Sequence, residues 1–91
     1  VNIEFTPTGW QDFEYWLEND LEVARKIREL IKSIRQTPFQ GLGKPEPLRY
    51  NLKGLWSRRI TGEHRLVYYL SGTKGIDQKC SIVQCRFYYD Q

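Results

Sequence analysis

The sequence contains no methionine, two cysteines and one histidine. One histidine without a paired-cysteine motif gives none of the ligand spacings of a structural zinc site. Cys80 and Cys85 fall in one strand-like stretch at an odd spacing, which is expected to put them on opposite faces. Thiols so placed cannot bridge each other. Free thiols fit a reducing compartment, so a cytoplasmic location is expected, and Cys85 reads as a small core residue. No stretch approaches the roughly 20 apolar residues that span a bilayer, and no membrane role is expected. No basic-then-apolar leader opens the chain, so nothing points to secretion. Repeats, linkers and low-complexity segments are missing too. The 91 residues suit one domain, residues 1–91, with one modest core.

The first 24 residues hold six acids and no lysine or arginine. Residues 25–91 hold all 14 lysines and arginines against five acids, so that part carries +9 while the whole chain carries +3. A field this lopsided attracts polyanions, nucleic acid first and an acidic protein second. A solvated charged surface is the plain alternative.

Residues 2–5 alternate and predict a short strand. Thr6-Pro7 is a helix start, with Thr as N-cap and Pro in the first turn. Trp10, Phe13, Trp16 and Leu17 then recur at helical spacing over 7–18. Asn19-Asp20 breaks and recaps the chain. The second helix is expected from about 20 to 36, with Leu21, Ala24, Ile27, Leu30, Ile31 and Ile34 as its buried stripe. Pro38 ends it, because the residue before proline leaves the helical region. Residues 38–47 read as a loop stiffened by Pro45 and Pro47. Strands are expected at about 48–51, 55–60, 64–70 and 79–88. The order β-α-α-β-β-β-β predicts an α+β fold, two N-terminal helices on one face of a mainly antiparallel twisted sheet.

Alternation sorts the two faces of that sheet. Val83, Cys85 and Phe87 are expected toward the helices, with Gln84, Arg86 and Tyr88 away. Leu66, Tyr68 and His64 share one face, and Arg65, Val67 and Tyr69 the other. Trp56 and Ile60 share a face with Arg58, opposite Ser57 and Arg59. An open face lined by Arg59, Arg65, Arg86, Tyr69 and Tyr88 follows.

The stretch Gly43–Leu70 sets one carboxylate, Glu46, between two prolines and among Lys44, Arg49, Lys53, Arg58, Arg59 and Arg65. RNA can be cut by such groups with no cofactor. A base removes the 2′-hydroxyl proton, cations stabilise the phosphorane, and an acid protonates the leaving 5′-oxygen. Glu46 is the candidate base. Arg65 has the planar fork that fits two phosphate oxygens. Lys44, Arg49 and Arg59 can hold the flanking backbone, while Tyr88, Tyr89 and Tyr69 can stack on unpaired bases. Taken singly, each piece has a plain reading. Glu46 reads as an exposed loop acid, Arg58-Arg59 as cross-strand pairing partners, and the terminal tyrosines as edge packing. His64 reads as packed or hydrogen-bonded, and Trp10, Trp16 and Trp56 as core or interface aromatics.

G-K-P-E-P-L, W-S-R-R-I and E-H-R-L-V-Y closely resemble the YoeB (Txe/YoeB) toxins of bacterial toxin–antitoxin modules, in the RelE superfamily. So do the aromatic helix around Tyr15-Trp16, I-R-E-L-I-K, the T-P-F loop and the C-R-aromatic ending. The resemblance implies a compact microbial-RNase-like fold. It also implies a metal-independent endoribonuclease, an mRNA interferase that cuts the codon in the ribosomal A site and stops translation. Carried over, the general base falls on Glu46, the transition-state arginine on Arg65 and a phosphate contact on Arg59. Arg49 stands where the family usually has lysine, and Tyr89 matches the near-terminal tyrosine. Tyr88 stands where the family usually has a histidine as general acid; tyrosine, with a pKa near 10, is a weaker acid than histidine near 6.5. Arg86 flanks it as a further RNA-binding cation. Asp90, beyond the usual end, would add a negative charge nearby. Implied partners are a cognate acidic antitoxin, the ribosome and its mRNA, a second copy in a homodimer, and operator DNA for the toxin–antitoxin complex. A catalytically weak module that binds RNA, ribosome or antitoxin without cutting is the alternative.

Overall fold

The computed structural model describes residues 1–89, so the expected charge of Asp90 lies outside the described residues. Five strands form one sheet in the order β1-β5-β4-β3-β2: β1 (Asn2–Phe5), β2 (Glu46–Pro47), β3 (Trp56–Arg59), β4 (Arg65–Ser71) and β5 (Lys79–Gln84). β1 runs parallel to β5, and the other pairs are antiparallel. Two helices, α1 (Pro7–Asn19) and α2 (Leu21–Gln36), pack on the sheet and enclose the core. This is the expected α+β architecture.

The caps are those the sequence predicts. Thr6 Oγ1 accepts from the Gly9 N–H at 3.1 Å, and Pro7 opens α1. Gly9 is buried and a Cβ there would strike the Ile82 carbonyl, so glycine lets α1 lie directly on the β5 backbone. Asp20 closes α1 through its N–H and caps α2 with its carboxylate. Ala24, Ile27, Leu30 and Ile34 form the buried stripe of α2. Each of the three larger ones contributes about 1.5–3 kcal/mol of apolar burial. Leu21, expected in that stripe, is 58% exposed, since it starts the helix beyond the reach of the sheet. Among the described residues no helix is long and apolar enough to cross a membrane.

The sequence misplaces two strand boundaries. The strand expected at 48–51 lies at Glu46–Pro47, and Tyr50–Leu52 is a 3-10 turn. Tyr50 has φ 56°, in the left-handed region that no strand tolerates. Glu46 is therefore a strand residue rather than a loop acid. The strand expected to reach 88 ends at Gln84. Val67 pairs with Gln84 but Tyr68 pairs with Ile82, so Val83 is an extra residue in a β-bulge. The bulge resets the alternation. Cys80 and Ile82 face the core, Val83 does not share their face, and Cys85 returns inward. Both cysteines thus enter one core, against the expectation of opposite faces, and both remain free thiols. Phe87, expected toward the helices, is 58% exposed with φ 67°.

Candidate active site

Register fixes which side chains share the open face. Glu46 pairs with Ser57 and Arg59 with Arg65, while Val67 sits opposite both Ser57 and Gln84. Paired residues project to the same side, so Glu46, Ser57, Arg59 and Arg65 occupy one face near its β2 edge. Arg59 and Arg65 stand directly opposite each other. Like charges in that position repel, a cost that a bound anion would remove.

The chain end completes the cleft. The Phe87 N–H donates to His64 Nδ1 at 2.7 Å, and the Arg65 N–H donates to the Phe87 carbonyl at 3.0 Å. Gln84 Nε2 donates to the carbonyls of Arg86 and Tyr88. These bonds hold the left-handed residue Phe87 and turn Tyr88 and Tyr89 back over the sheet. The His64 ring, edge-on to Trp16 at 4.8 Å, has the packed, hydrogen-bonded role that its alternation suggests. Because Nδ1 accepts, the ring proton sits on Nε2.

Tyr88 and Tyr89 stack with centroids 4.7 Å apart. Arg65 lies over the Tyr88 ring at 5.0 Å, and its Nη2 donates to the Tyr88 hydroxyl at 3.3 Å. Tyr89 Oη donates to Glu46 Oε1 at 3.2 Å and lies 3.0 Å from Ser57 Oγ. Burial raises the Tyr89 phenol above its ordinary value, and the Glu46 carboxylate adds to this against the opposing Ser57 hydrogen bond. The phenol therefore keeps its proton at neutral pH and donates it to Glu46. Ser57 must then be the donor in the other contact. A continuous line runs Glu46–Tyr89–Tyr88–Arg65. Glu46, Lys44, Arg49, Arg59 and Tyr88 are exposed, so this line is open to a ligand. The Arg65 Nε is buried without a hydrogen-bond partner among the described residues.

Lys44, with φ 51°, follows Gly43, whose carbonyl accepts from the Arg59 N–H at 2.8 Å. That places Lys44 at the Arg59 end of β3. Arg49 precedes the 3-10 turn, three residues beyond Glu46. Arg86 does not join the open face. Its guanidinium lies 3.4 Å from the Tyr15 ring centroid of α1, drawn there by π-stacking and by Asp12. The expected place of Arg86 on the open face is corrected accordingly: Cys85 faces inward as expected, but the strand ends at Gln84 and the chain turns at Phe87, so alternation no longer places Arg86. Tyr69 is exposed but four residues beyond Arg65, roughly 13 Å along the strand.

Arg58 is the other correction. It does stand opposite Leu66 on β4, but its side chain is fully buried rather than part of the basic surface around Glu46. Its guanidinium donates to the carbonyls of Thr37, Pro38, Gln40 and Leu42, to Ser33 Oγ and to Tyr68 Oη. It thereby fastens the loop that leads to Glu46. The signal was its alternation with Trp56 and Ile60. Ser57 and Gln84, which position the two tyrosines, carry no such signal.

A family model described as the YoeB-like toxin of bacterial type II toxin–antitoxin systems matches residues 5–89. The chain is 54% identical to Toxin YoeB of Escherichia coli (strain K12) over 89 residues, covering 98% of this chain and 100% of that protein. A YoeB/ParE toxin from Agrobacterium tumefaciens superposes with a TM-score of 0.93 at 47% identity, covering 98% of this chain and 100% of the other. A YoeB from Staphylococcus aureus, 41% identical with a TM-score of 0.84 and 98% of each chain covered, was solved in a heterotetrameric YoeB-YefM toxin-antitoxin complex.

Proposed function

Since this chain belongs to the YoeB-like toxins of bacterial type II toxin–antitoxin systems, we propose that it is a ribosome-dependent mRNA endoribonuclease. Its substrate is the mRNA codon in the A site, and its effect is arrest of translation. The observation that carries this is the line from Glu46 to Arg65 through the stacked tyrosines. A base and a phosphate-binding cation open onto one cleft.

Glu46 accepts the 2′-hydroxyl proton, and the oxygen attacks the adjacent phosphorus. Tyr89 orients the carboxylate by holding Oε1. Arg65 neutralises the charge that grows on the phosphorane, where fixed donors help most. Arg59, Lys44 and Arg49 hold the flanking phosphates. The Tyr88 hydroxyl, beside Arg65, gives its proton to the departing 5′-oxygen. The products are a 2′,3′-cyclic phosphate and a 5′-hydroxyl, with atoms and protons balanced and no metal or cofactor required.

The partners follow the same pattern: an acidic antitoxin of the YefM kind, a second copy of this chain, and operator DNA once antitoxin is bound. Primer extension on translating ribosomes tests the activity. Cuts inside A-site codons by the wild type, lost in Glu46→Gln and Arg65→Ala while ribosome binding persists, support it. Binding without cleavage at any dose would leave a module that docks and does not cut. Tyr88→Phe should slow cleavage strongly, and an unchanged rate would remove Tyr88 as the acid.

A further inference from the structure

The Tyr50 side chain contributes little to the fold. It is 78% exposed, and among the described residues it has no ring, cation or hydrogen-bond partner. Its backbone is nevertheless strained, with φ 56°. Glycine or asparagine reaches that left-handed region readily, whereas a bulky aromatic residue is an outlier there. Such strain lasts only where the surroundings fix it, and it clusters at sites that hold ligands.

Here the surroundings do fix it. The Leu52 N–H donates to the Arg49 carbonyl at 3.0 Å, and the Lys53 N–H to the Tyr50 carbonyl at 3.1 Å. Just before the turn, the Leu48 N–H donates to the Leu55 carbonyl at 2.9 Å, and the Leu48 side chain is buried. The ring therefore stands on a held backbone, with neither ring nor cation over its faces.

The place of that ring gives it a use. Glu46, Pro47, Leu48, Arg49 and Tyr50 line one hollow of about 350 Å³. Sites for small ligands span roughly 300–1,000 Å³. Arg65, Tyr88 and Tyr89 do not line it, so it belongs to the Glu46 end of the catalytic line. A ribose whose 2′-hydroxyl meets Glu46 brings its own base to that end. The departing 5′-oxygen belongs at the other end, with Tyr88 and Arg65. Tyr88 is also less available for stacking, since its ring is taken up by Tyr89 at 4.7 Å and by Arg65 at 5.0 Å.

We infer, on the nuclease reading above, that Tyr50 is the stacking platform for the base of the nucleotide whose 2′-hydroxyl Glu46 deprotonates. An aromatic ring can hold any unpaired base in this way, because every base has a π face. The turn fixes the ring, the ring seats the base, and the seated nucleotide presents its hydroxyl to the carboxylate.

The test uses the full chain and ribosomes programmed with mRNA whose A-site codon has 2′-deoxy sugars, so that nothing is cut. 2-Aminopurine, whose fluorescence falls when it stacks, replaces each codon base in turn. Wild type, Tyr50→Phe and Tyr50→Asn are titrated. Asparagine suits the left-handed turn and removes the ring, so Tyr50→Asn should unfold in urea at or above the wild-type midpoint. Wild type and Tyr50→Phe should quench the probe at the nucleotide 5′ of the bond that primer extension maps on unmodified mRNA. Tyr50→Asn should not quench it, and should bind the programmed ribosome about tenfold more weakly. On cleavable mRNA its loss should appear in the half-saturating concentration more than in the rate at saturation. Equal quenching by Tyr50→Asn, or quenching confined to the nucleotide 3′ of the bond, would overturn the assignment. So would a lowered urea midpoint in Tyr50→Asn, which would give the ring a structural role. A wild type that cuts but quenches at no position would sink the base platform alone. A wild type that quenches through Tyr50 but cuts no mRNA would sink the nuclease reading and leave the platform standing.

Discussion

Replacing Arg58 by methionine should destabilise the protein by about 3 kcal/mol. The side chain makes six hydrogen bonds from a fully buried position. They are not equal in consequence. The Leu42 carbonyl, 2.9 Å from Nη1, has no other hydrogen bond among the described residues and would be orphaned, a loss of about 1.5–3 kcal/mol. The other acceptors fare better. Thr37 O keeps the Gln40 N–H, and Gln40 O keeps the Thr37 hydroxyl. Tyr68 Oη still donates to Pro38 O, and Ser33 Oγ keeps the Leu42 N–H. About 0.5 kcal/mol for each of these five bonds is a fair loss. Against roughly 4–5 kcal/mol in all, methionine recovers about 1–2 by burying apolar surface and sparing guanidinium desolvation. Urea unfolding should show the difference, and thermal unfolding a midpoint lower by about 12–24 °C. Arg58→Lys should fall between, since one ammonium cannot reach all six acceptors. A loss below about 1 kcal/mol for Arg58→Met would refute the assignment of Arg58 as the fastener of residues 37–42.

Tyr89→Phe removes the donor to Glu46 while keeping the stacked ring. Discounted for exposure, that bond is worth about 1 kcal/mol, so single-turnover cleavage should slow about fivefold with ribosome affinity unchanged; a full rate would show that Glu46 needs no such support. Burial pushes both thiols up to about 12, helped at Cys85 by the Asp12 carboxylate, so a thiol reagent at about pH 8 should label neither until the protein unfolds. Rapid labelling of the native protein would contradict the core assigned to them. The Ser81 hydroxyl first, and Lys79 after it, hold Glu4 below its ordinary value of 4.5 against a smaller opposing effect of burial. A carboxylate depressed on folding gives stability that is present above the unfolded value and lost as pH falls through the folded one. Urea midpoints measured downward from pH 6 should therefore fall more steeply below about pH 4.5 for wild type than for Glu4→Gln, and parallel curves would dismiss the contact.

The helices were legible because their signals are local. Thr6-Pro7, Asp20 and Pro38 punctuate them, and period 3.6 marks the stripe from Ala24 to Ile34. Trp10, Leu17 and Leu21 hold periodic positions and are nevertheless exposed, Leu21 because it lies where the helix has not yet met the sheet. The structure also brings Glu46, Arg59, Arg65 and the two tyrosines to one cleft, and simple alternation sorts β3 and β4 correctly. What failed depends on single backbone residues. Val83 bulges out, so Cys80 and Ile82 before it face the core together with Cys85 after it, and the strand ends at Gln84, so Arg86 and Phe87 no longer follow its alternation. Tyr50 takes a left-handed turn and brings the short strand forward onto Glu46. No residue-type preference announces either event: valine is an ordinary strand former and tyrosine an unusual left-handed residue. Arg58 was misread for a different reason. Its charge suggested a surface, whereas its alternation with Trp56 and Ile60 placed it inside, among carbonyls that a guanidinium can satisfy.

A double-mutant cycle in cleavage rate measures most directly whether Glu46 and Arg65 serve one phosphodiester. Single-turnover rates on ribosome-bound mRNA would be taken for wild type, Glu46→Gln, Arg65→Ala and the double variant. Each single change should cost about 10²–10³-fold. Groups acting as a unit are strongly non-additive, so the double variant should be scarcely slower than the worse single one. Penalties that multiply in full, or a Glu46→Gln protein that cuts at the wild-type rate, would contradict a shared cleft.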